Sequence, residues 1–386
     1  MKKVLFMALL AFVCVMPVKA EKLNLAESAK SAMLIEASTG EVIYEKDSDK
    51  KMVPASMTKM MSMLLIMESI DNGIIKWTDK VTVSENAASM GGSQILLEVG
   101  EKMTVEDMFK GISIASGNDA VVAMAEKIGG SVDVFVNMMN ERAKQLGLKN
   151  TSFKNPHGLD ADDHYSSARD MSIIARELVK HEKVLTFTSV YEDYLREGTD
   201  RKLWLVNTNK LVRFYEGVDG LKTGYTEEAG YCLTATAKKN DMRIIAVVMG
   251  EPDSKVRNKE VSEMLDYAFA QYEIHNLLGK QKTLGKYEVD KASKKYIEIV
   301  PQTEVTILKK KGQKEGKATY DITLDKLKAP VKKGASVGTL QIKENGNVIR
   351  SVDLTVKESV TKASLFQLYL RYMKDIFTAD TTIIKS

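Results

Sequence analysis

The sequence predicts an α+β protein in which an antiparallel sheet carries a cluster of helices, followed by a small all-β domain and a C-terminal amphipathic helix. Three observations lead to this fold class. Strand and helix patterns mix from about residue 23 to 271, period-two segments follow to about 358, and an amphipathic pattern lies near the C-terminus. With 386 residues, the chain is long enough for two domains with sizeable cores.

The region 21–276 is predicted to form one domain whose sheet takes strands from both of its ends. A hairpin that opens the sheet is predicted from AMLIEAS and EVIYEKD, which flank Thr39-Gly40. Two adjacent strands around a polar turn are predicted from GYCLTATAKKNDMRIIAVVMG. Helices come between them. Pro54 suits the first turn of a helix through MTKMMSMLLIMESI, and apolar residues recur at helical spacing in TVEDMFKGISIAS and SARDMSIIARELVKH.

The region 277–358 is predicted to be the all-β domain. Apolar and polar residues alternate in KYIEIVP, EVTILKK, ATYDITLD and VGTLQIKENGNVIRSVDLTV. In the last of these segments, Asn345-Gly346 is the dipeptide typical of a two-residue hairpin turn. The pattern therefore predicts short antiparallel strands joined by tight turns.

The segment 359–386 is predicted to contain the amphipathic helix. At about 100° per residue, its apolar residues fall within an arc of roughly 200°: Leu365, Phe366, Leu368, Tyr369, Leu370, Tyr372, Met373, Ile376 and Phe377. The helix could dock on the β domain. Its aromatic-rich apolar face, the basic residues on its polar side and its terminal position instead favour a helix that lies in a membrane interface without spanning the bilayer.

The first twenty residues, MKKVLFMALLAFVCVMPVKA, are typical of a secretory signal peptide that is cleaved after Ala20. Their apolar run is too short for a spanning helix. After cleavage, Cys232 is the only cysteine, so no internal disulfide can form. The formal net charge of +4 is small for this length, and basic and acidic residues are interspersed, so nucleic-acid binding is not expected.

Ser56 and Lys59 are a candidate catalytic pair. The spacing SxxK occurs three times, and the other two copies, Ser48–Lys51 and Ser359–Lys362, lie in a charge run and at the exit of the β domain. The pair in SMTK is the one set in an apolar helix, where a separation of three residues places both side chains on one face. Capping and solvation would explain such a pair, and so would a nucleophile with its base.

The chemistry favours the second explanation. A serine hydroxyl is a weak nucleophile until a base removes its proton. Lysine can be that base only when it is neutral, so its pKa must fall well below its ordinary value of about 10.4. Desolvation among methionines and a second cation nearby would both lower the pKa of Lys59. The N-terminus of a helix would favour negative charge on the Ser56 oxygen.

Two later motifs strengthen this interpretation. Ser116-Gly117-Asn118 lies in SGNDA, in a predicted loop, and Lys222-Thr223-Gly224 lies in GLKTGYT, on a predicted strand. The order SxxK, SxN, KTG resembles that of the penicillin-binding proteins and serine β-lactamases. The segments PASMTKMM, SGNDA, NPHGLD, DGLKTGYT, AGYCLTATA and RIIAVVMG are similar to those of the low-molecular-mass D-alanyl-D-alanine carboxypeptidases. The resemblance implies a β-lactamase/transpeptidase-like catalytic domain and covers it nearly throughout.

The resemblance also implies roles for individual residues. Ser56 would attack the carbonyl between two terminal D-alanines, and Lys59 would take its proton. Ser116, with Lys222 nearby, would pass a proton to the departing D-alanine. Asn118 would hold the peptide amide. Lys222 would also supply the positive field that keeps Lys59 neutral.

Further substrate-binding residues are implied on the KTG strand and downstream of it. The backbone N–H groups of Ser56 and Tyr225 would form the oxyanion hole, beside Gly224. Thr223 and Arg257 would bind the terminal carboxylate, although the surroundings of Arg257 in SKVRNKE depart from the common pattern. Tyr225 stands where some relatives carry histidine. Because the contact there is made by backbone, the departure should leave the reaction type intact.

The family implies an enzyme that works without a metal or organic cofactor. Its substrate would be the peptidoglycan stem peptide ending in D-Ala-D-Ala, and β-lactams would acylate the same serine as covalent inhibitors. The C-terminal helix would bind the membrane surface, which places the exported enzyme at the outer face of the cytoplasmic membrane.

Other classes fit less well. The sequence lacks the G-x-S-x-G motif that one class of Ser–His–Asp hydrolases carries. The segment HEKVL at residue 181 lacks the second histidine of the zinc-peptidase motif. His157 lies in a predicted structural turn, and the other three histidines lie in polar stretches of sequence. A β-lactamase would need a further carboxylate for deacylation, and no matching Glu motif lies between SGN and KTG. A non-catalytic peptidoglycan-binding protein is the remaining alternative.

Overall fold

The computed structural model describes residues 23–313 and 318–378. The predicted signal peptide and the last eight residues lie outside the described residues. The strands in chain order are β1 (Ser31–Glu36), β2 (Val42–Lys46), β3 (Lys80–Thr82), β4 (Lys102–Thr104), β5 (Glu192–Leu195), β6 (Leu203–Val206), β7 (Val218–Thr226), β8 (Gly230–Lys239), β9 (Met242–Glu251), β10 (Tyr272–Leu278), β11 (Gly285–Glu288), β12 (Tyr296–Pro301), β13 (Val305–Lys310), β14 (Ala318–Leu324), β15 (Gly338–Glu344) and β16 (Asn347–Val356).

The α-helices of the described residues follow in the same way. They are α1 (Lys59–Asp71), α2 (Glu85–Ala88), α3 (Val105–Ser113), α4 (Asn118–Gly129), α5 (Val132–Gln145), α6 (Ala168–Leu178), α7 (Leu185–Thr188), α8 (Leu211–Phe214), α9 (Ser254–Gln271) and α10 (Leu365–Thr378). Single 3₁₀ turns lie at Ala55–Thr58 and Glu182–Val184.

The main sheet has five antiparallel strands in the order β2-β1-β9-β8-β7. The predicted hairpins β1–β2 and β8–β9 are confirmed, and β1 pairs with β9 across more than two hundred residues of chain. Both faces of the sheet are buried. Met33 of β1 belongs to the core shared with α1, α3, α4 and α6, whereas its neighbour Leu34 faces the core shared with α9.

Helix α1 lies in the middle of the larger core and is buried on all sides except near its C-terminus. Its methionines pack in that core. The helix begins at Lys59, and Ser56 lies in the preceding 3₁₀ turn, so the prediction of one helix through both residues is wrong in detail. The reason is local, because Ala55 has φ of 46° and cannot continue an α-helix.

The β domain contains a five-stranded sheet, β11-β12-β16-β15-β14, and a separate ribbon of β10 with β13. The predicted turn between β15 and β16 is confirmed, with φ of 52° at Asn345 and 84° at Gly346. Strand β10 follows α9 without a linker, so the boundary expected between residues 276 and 277 falls inside a strand. Pairing of β10 with β13 explains why the chain becomes extended at Tyr272, before the predicted boundary.

The β domain is joined to the catalytic region through the turn between β1 and β2. The guanidinium of Arg350 on β16 donates to the carbonyl oxygens of Thr39, at 2.6 Å, and Ser38, at 2.9 Å. The hydroxyls of Ser38 and Thr306 on β13 lie 2.9 Å apart. Buried Glu36 accepts hydrogen bonds from the backbone and hydroxyl groups of Ser38 and Thr39. The junction therefore includes a set of directional polar contacts on this turn, and Ile274 of β10 and Leu308 of β13 add apolar contacts with the core under α9.

Helix α10 leaves the β domain with its apolar side chains in solvent. Leu365 is 88% exposed and Phe366 68% exposed, and Tyr369 and Tyr372 are exposed as well. Arg371 donates to the carbonyl oxygens of Ala292, at 2.8 Å, and Ser293, at 3.2 Å. The polar side thus contacts the β domain. Among the described residues, no helix is both long and apolar enough to cross a membrane.

Candidate active site

The 3₁₀ turn that carries Ser56 is held between two glycine backbones. A Cβ at Gly158 would lie 1.9 Å from the carbonyl oxygen of Ala55, and a Cβ at Gly224 would lie 2.7 Å from that of Pro54. Both distances are far below van der Waals contact. The backbones of the NPHGLD segment and of β7 therefore approach the turn more closely than any side chain would allow.

Lys59 lies directly behind Ser56 with its Nζ atom surrounded by oxygen atoms. The Nζ atom is 2.9 Å from Ser56 Oγ, and it donates to Asn118 Oδ1 at 2.7 Å and to the His157 carbonyl at 2.8 Å. Amide and carbonyl oxygens can only accept hydrogen bonds. A neutral amine has two N–H groups and one lone pair, so these two acceptors leave the lone pair directed at the Ser56 hydroxyl.

The surroundings of Lys59 favour the neutral amine. Its side chain is completely buried. Burial holds the pKa of Lys59 well below its usual value, the nearby charge of Lys222 lowers this pKa further, and Asp119 opposes the shift. Burial and the guanidinium of Arg257 in turn lower the pKa of Lys222 to about 7. The charges of Lys222 and Arg257 and the burial of all three basic side chains thus disfavour a proton on Lys59.

A cleft of about 470 Å³ opens over Ser56. The predicted residues that line it are Ser56, Ser116, Thr223, Gly224, Tyr225 and Arg257. The other three, Lys59, Asn118 and Lys222, are buried residues that are not part of the lining. Contacts and charge coupling link them to the lining residues. The structure therefore brings all nine predicted residues together from the 3₁₀ turn, α1, the loop before α4, α4 itself, β7 and α9.

The two residues of the SxN motif differ in their contacts. Ser116 has φ of 65°, and no hydrogen bond within the described ranges occupies its hydroxyl. Asn118 uses both ends of its amide, because Oδ1 accepts from Lys59 and Nδ2 donates to the Gly91 carbonyl at 2.7 Å. The amide nitrogen Nδ2 has a second N–H, so its bond to Gly91 does not exclude the predicted contact of Asn118 with a substrate amide. In this structure Asn118 positions the lysine.

The far side of the cleft contains the predicted carboxylate-binding groups. Thr223 Oγ1 donates to Thr208 Oγ1 at 2.8 Å. Arg257 is buried in the first turns of α9, where Nε and Nη2 donate to Asn258 Oδ1 at 3.1 and 2.8 Å. Tyr225 is half exposed, and its ring packs on Tyr231 with 4.4 Å between centroids. Hydroxyl, guanidinium and aromatic groups therefore border one end of the cleft.

Sequence reasoning missed the groups that support this pair from behind. The carbonyl of His157 binds Lys59, and Ser62 on α1 donates to the neighbouring Pro156 carbonyl at 2.7 Å. Asp119 accepts from the N–H groups of Ile95 and Leu97, which fixes the loop that borders the cleft. A contact made by a backbone carbonyl cannot be predicted from the pattern of side chains. Asp119 lies inside the SGNDA motif but was not assigned a role there.

His164 was also misjudged from its polar sequence neighbours, because it is buried. Its Nδ1 accepts the N–H of Lys154, so Nε2 carries the proton and donates to Thr58 Oγ1 at 2.8 Å. Burial lowers the pKa of His164 to about 4, which keeps the ring neutral. His164 therefore anchors the 3₁₀ turn two residues after Ser56.

The site contains no cluster of metal ligands. Within residues 23–313 and 318–378, no group of three or more His, Cys, Asp or Glu is placed to hold a metal ion. Cys232 is a free, buried thiol whose pKa is raised to about 11 by burial. The chemistry of this cleft is that of a serine beside a buried amine.

A serine paired with a buried lysine, between an SxN loop and a KTG strand on an antiparallel sheet, defines a serine acyl-transfer enzyme of the penicillin-binding class. The chain matches the family described as D-alanyl-D-alanine carboxypeptidase over residues 12–253. It also matches the family described as penicillin-binding protein 5, C-terminal domain, over residues 272–362. The protein belongs to the D-alanyl-D-alanine carboxypeptidase family.

Individual relatives agree with this assignment. The chain is 56% identical over 353 residues to D-alanyl-D-alanine carboxypeptidase DacF of Bacillus subtilis (strain 168), with 91% of each chain covered. Penicillin-binding protein 5 of Haemophilus influenzae has 33% identity and a TM-score of 0.70, over 87% of this chain and 98% of that one. Penicillin-binding protein D2 of Listeria monocytogenes, solved in its ampicillin-bound form, has 31% identity and a TM-score of 0.58, over 64% of this chain and all of that one.

These likenesses confirm the predicted family, fold class and activity. In this chain the catalytic region is followed by the all-β domain, which the second family model matches, and then by α10. The protein is a serine-type D-alanyl-D-alanine carboxypeptidase that acts on peptidoglycan peptides of the cell wall.

Proposed function

We propose that Ser56 is the nucleophile of this carboxypeptidase and that Lys59 is its general base. The observation that carries the proposal is the 2.9 Å separation of Lys59 Nζ and Ser56 Oγ, with the two N–H groups of the amine already directed at other acceptors. The lone pair then has one partner, the Ser56 hydroxyl. In the acylation step Ser56 Oγ attacks the carbonyl carbon of the penultimate D-alanine, and Lys59 takes the hydroxyl proton.

The backbone N–H groups of Ser56 and Tyr225 stabilise the oxyanion of the tetrahedral intermediate. The Ser56 N–H belongs to the first turn of a helical segment, where N–H groups have no intrahelical acceptor. Tyr225 lies on β7, which is an edge strand of the main sheet. An edge strand has backbone groups free for an extended peptide, which supports binding of the substrate along β7.

Ser116 and Lys222 complete the acylation step. When the C–N bond breaks, the Ser116 hydroxyl gives a proton to the D-alanine nitrogen and receives in exchange the proton that Lys59 took from Ser56, so Lys59 is neutral again. Lys222 is the cationic group nearby. Ser116 lines the cleft with its hydroxyl unoccupied, and the pKa of Lys222, lowered to about 7, allows it to exchange a proton near neutral pH. Water then attacks the ester carbonyl and regenerates Ser56, with Lys59 again as base.

Positive charge at one end of the cleft restricts the enzyme to peptides with a free C-terminal carboxylate. Thr223 and Arg257 bind the terminal carboxylate, and Asn118 contributes by orienting Lys59. The cleft borders on buried Arg257 and Lys222, so an anion is the ligand that this end of the cleft favours. A β-lactam carries both a carboxylate and a reactive amide. The ampicillin-bound relative supports the proposal that β-lactams open on Ser56 and remain attached as an ester.

Mapping the adduct tests the assignment. The intact protein is incubated with a fluorescent penicillin, digested and sequenced by mass spectrometry, while release of D-alanine is followed with a peptide ending in D-Ala-D-Ala. We expect one modified peptide with the mass increase on Ser56. A stoichiometric adduct on another residue would contradict the assignment.

We also propose that the protein is exported and held on the outer surface of the membrane by α10. Residues 1–20 supply the signal, 21–276 the catalytic domain, 277–358 the all-β domain and 359–386 the anchor and tail. Export is supported by the sequence pattern of the signal. Membrane binding is supported by the exposed Leu365, Phe366, Tyr369 and Tyr372, since Arg371 holds the opposite side against the β domain.

Removal of residues 361–386 should move the protein from the membrane fraction to the soluble fraction. The matched substitution is Phe366→Ser with Tyr369→Ser, which should lower binding to anionic phospholipid vesicles about tenfold or more. The reason is that the two aromatic rings, once buried in the membrane interface, would contribute several kcal/mol to binding. Gln367→Ser is the control on the polar side and should bind like the wild type. Equal sedimentation of the double variant and the wild type with vesicles would contradict the anchor.

A further inference from the structure

The imidazole of His164 connects two segments of the active site that are far apart in the chain. Its Nδ1 accepts the backbone N–H of Lys154 at 3.0 Å, and its Nε2 lies 2.8 Å from Thr58 Oγ1. The residue is 2% exposed, so solvent water hardly competes for either nitrogen. The ring therefore forms a buried bridge between the Thr58 hydroxyl and the backbone at Lys154.

The partners of the two nitrogens define the state of the ring. A backbone N–H can only donate, so Nδ1 holds a lone pair and the ring proton lies on Nε2. Nε2 then donates to the oxygen of the Thr58 hydroxyl. A neutral ring with one acceptor and one donor thus matches both of its partners, and a side chain without both groups would leave a buried polar atom unpaired.

Thr58 lies in the 3₁₀ turn between Ser56 and Lys59 and is completely buried. A threonine at the start of a helix ordinarily accepts a hydrogen bond from a backbone N–H of the first turn. Thr58 has helical φ and ψ of −46° and −38°, and its side chain makes no such bond to α1. The hydroxyl is bonded to His164 instead. The residue between the proposed nucleophile and base is therefore held by a group outside its own helix.

The other end of the bridge leads into the segment that supports Lys59 from behind. Three residues after Lys154, the His157 carbonyl accepts from Lys59 Nζ at 2.8 Å. The same Nζ atom is 2.9 Å from Ser56 Oγ. His164 thus bonds to both of the parts whose relative position sets the lysine, which are the 3₁₀ turn and the segment that supplies the carbonyl.

The 3₁₀ turn needs such support from its surroundings. Ala55 has φ of 46°, and a residue other than glycine keeps this conformation only where neighbouring groups hold it. Among the described residues, side-chain hydrogen bonds reach the turn from outside the turn and α1 at two places. One comes from His164, and the other runs from Thr234 Oγ1 to Met57 Sδ at 3.3 Å. A thioether is a weak acceptor, so the bond from His164 is the stronger of the two.

We propose that His164 is a positioning residue for acylation, which sets the separation of Ser56 Oγ and Lys59 Nζ by holding Thr58 against the segment that begins at Lys154. This inference rests on the proposed roles of Ser56 and Lys59. His164 is not part of the lining of the substrate cleft. Loss of the bridge should therefore slow the bond-forming step and leave the binding of substrate or penicillin nearly unchanged.

Stopped-flow kinetics with a penicillin test this, because they separate the dissociation constant of the noncovalent complex from the acylation rate constant. Thr58→Val keeps the shape of the side chain and loses its hydroxyl. We expect its acylation rate constant to fall roughly thirtyfold and its dissociation constant to stay within about twofold of the wild type. His164→Phe should show the same loss. The double variant should be about as slow as either single variant, because each substitution removes the same bond.

His164→Gln is the conservative variant. A glutamine amide has one donor and one acceptor about as far apart as the two ring nitrogens, so it can make both bonds, and acylation should stay within about threefold of the wild type. Phe135→Leu is the control for stability, since Phe135 is buried on α5 in the same core. It should lower the midpoint of urea unfolding and leave the acylation rate constant within about twofold of the wild type.

Acylation of Thr58→Val at the wild-type rate would overturn the inference, even if His164→Phe does not fold. An equal loss of rate in Phe135→Leu would also overturn it, because lower stability alone would then explain the slow variants. So would a folded His164→Gln that acylates as slowly as Thr58→Val. Failure of the proposed function gives a different result, since the penicillin adduct of the wild type would then map to a residue other than Ser56.

Discussion

Ser56→Ala should lose D-alanine release and penicillin labelling, with the acylation rate lower by about 10⁴-fold or more. The substitution removes the atom that would form the ester, and no hydroxyl of the described residues other than that of Ser56 is within hydrogen-bond distance of Lys59 Nζ. The free energy of unfolding should change little, because Ser56 is only partly buried and the substitution removes a single hydroxyl. Stopped-flow acylation and urea unfolding measure the two quantities independently.

Ser359→Ala is the matched control for this variant. It removes the serine of another SxxK pair, at the exit of the β domain, where the Ser359 hydroxyl accepts the N–H of Lys333. Its acylation rate should equal that of the wild type. Residual labelling of Ser56→Ala at the wild-type rate would exclude Ser56 as the nucleophile.

Lys59→Met should lower the acylation rate by about 10³-fold, within the range that general-base catalysis contributes. Methionine fills a similar volume but cannot accept a proton, and the nucleophile is otherwise unchanged. Burial of the amine costs desolvation free energy that burial of a thioether does not, and the amine also lies near the positive charge of Lys222. Both effects lower the stability of the wild type. The variant should therefore be about as stable as the wild type or more stable, although the polar groups of Asn118 and His157 lose a partner.

Loss of activity without loss of stability separates a catalytic role of Lys59 from a structural one. Lys51→Met provides the comparison, since Lys51 belongs to the solvated SxxK pair and its ammonium group donates to the Tyr165 hydroxyl and lies over the Tyr165 ring. Its acylation rate should remain within about twofold of the wild type. Acylation of Lys59→Met at the wild-type rate would assign the base to another group, and Lys222 would then be the nearest candidate.

The parts of the fold that follow from local patterns were predictable from the sequence. The two predicted hairpins of the main sheet, β1–β2 and β8–β9, and the Asn345-Gly346 turn depend on residues that are neighbours in the chain. The sheet order was not predictable in the same way, because the pairing of β1 with β9 joins segments that are far apart in sequence. Strands β5 and β6 were missed because their segments are short and partly polar.

The candidate site shows the same division. Ser56, Lys59, Ser116 and Lys222 were found because the motif requires those side chains, and the structure brings them to one place. The left-handed Ala55 was not foreseen, since alanine gives no signal of positive φ. Ala55 also lies against the backbone of Gly158, which is more than a hundred residues further along the chain. Contacts made by backbone atoms, such as the His157 carbonyl on Lys59, require the three-dimensional structure.

The polar junction at Ser38 and Thr39 affects how an anchored enzyme would meet its substrate. Arg350 and Thr306 bind that turn, and Lys309 joins the β10–β13 ribbon to the larger sheet through Glu344 at 2.8 Å. With α10 on the membrane, the β domain is then a stiff spacer and not a flexible tether. In an enzyme anchored in this way, the cleft would be confined to a thin layer at one height above the lipid. Its effective substrate concentration is set by how many stem peptides lie in that layer, and not by their average concentration in the wall.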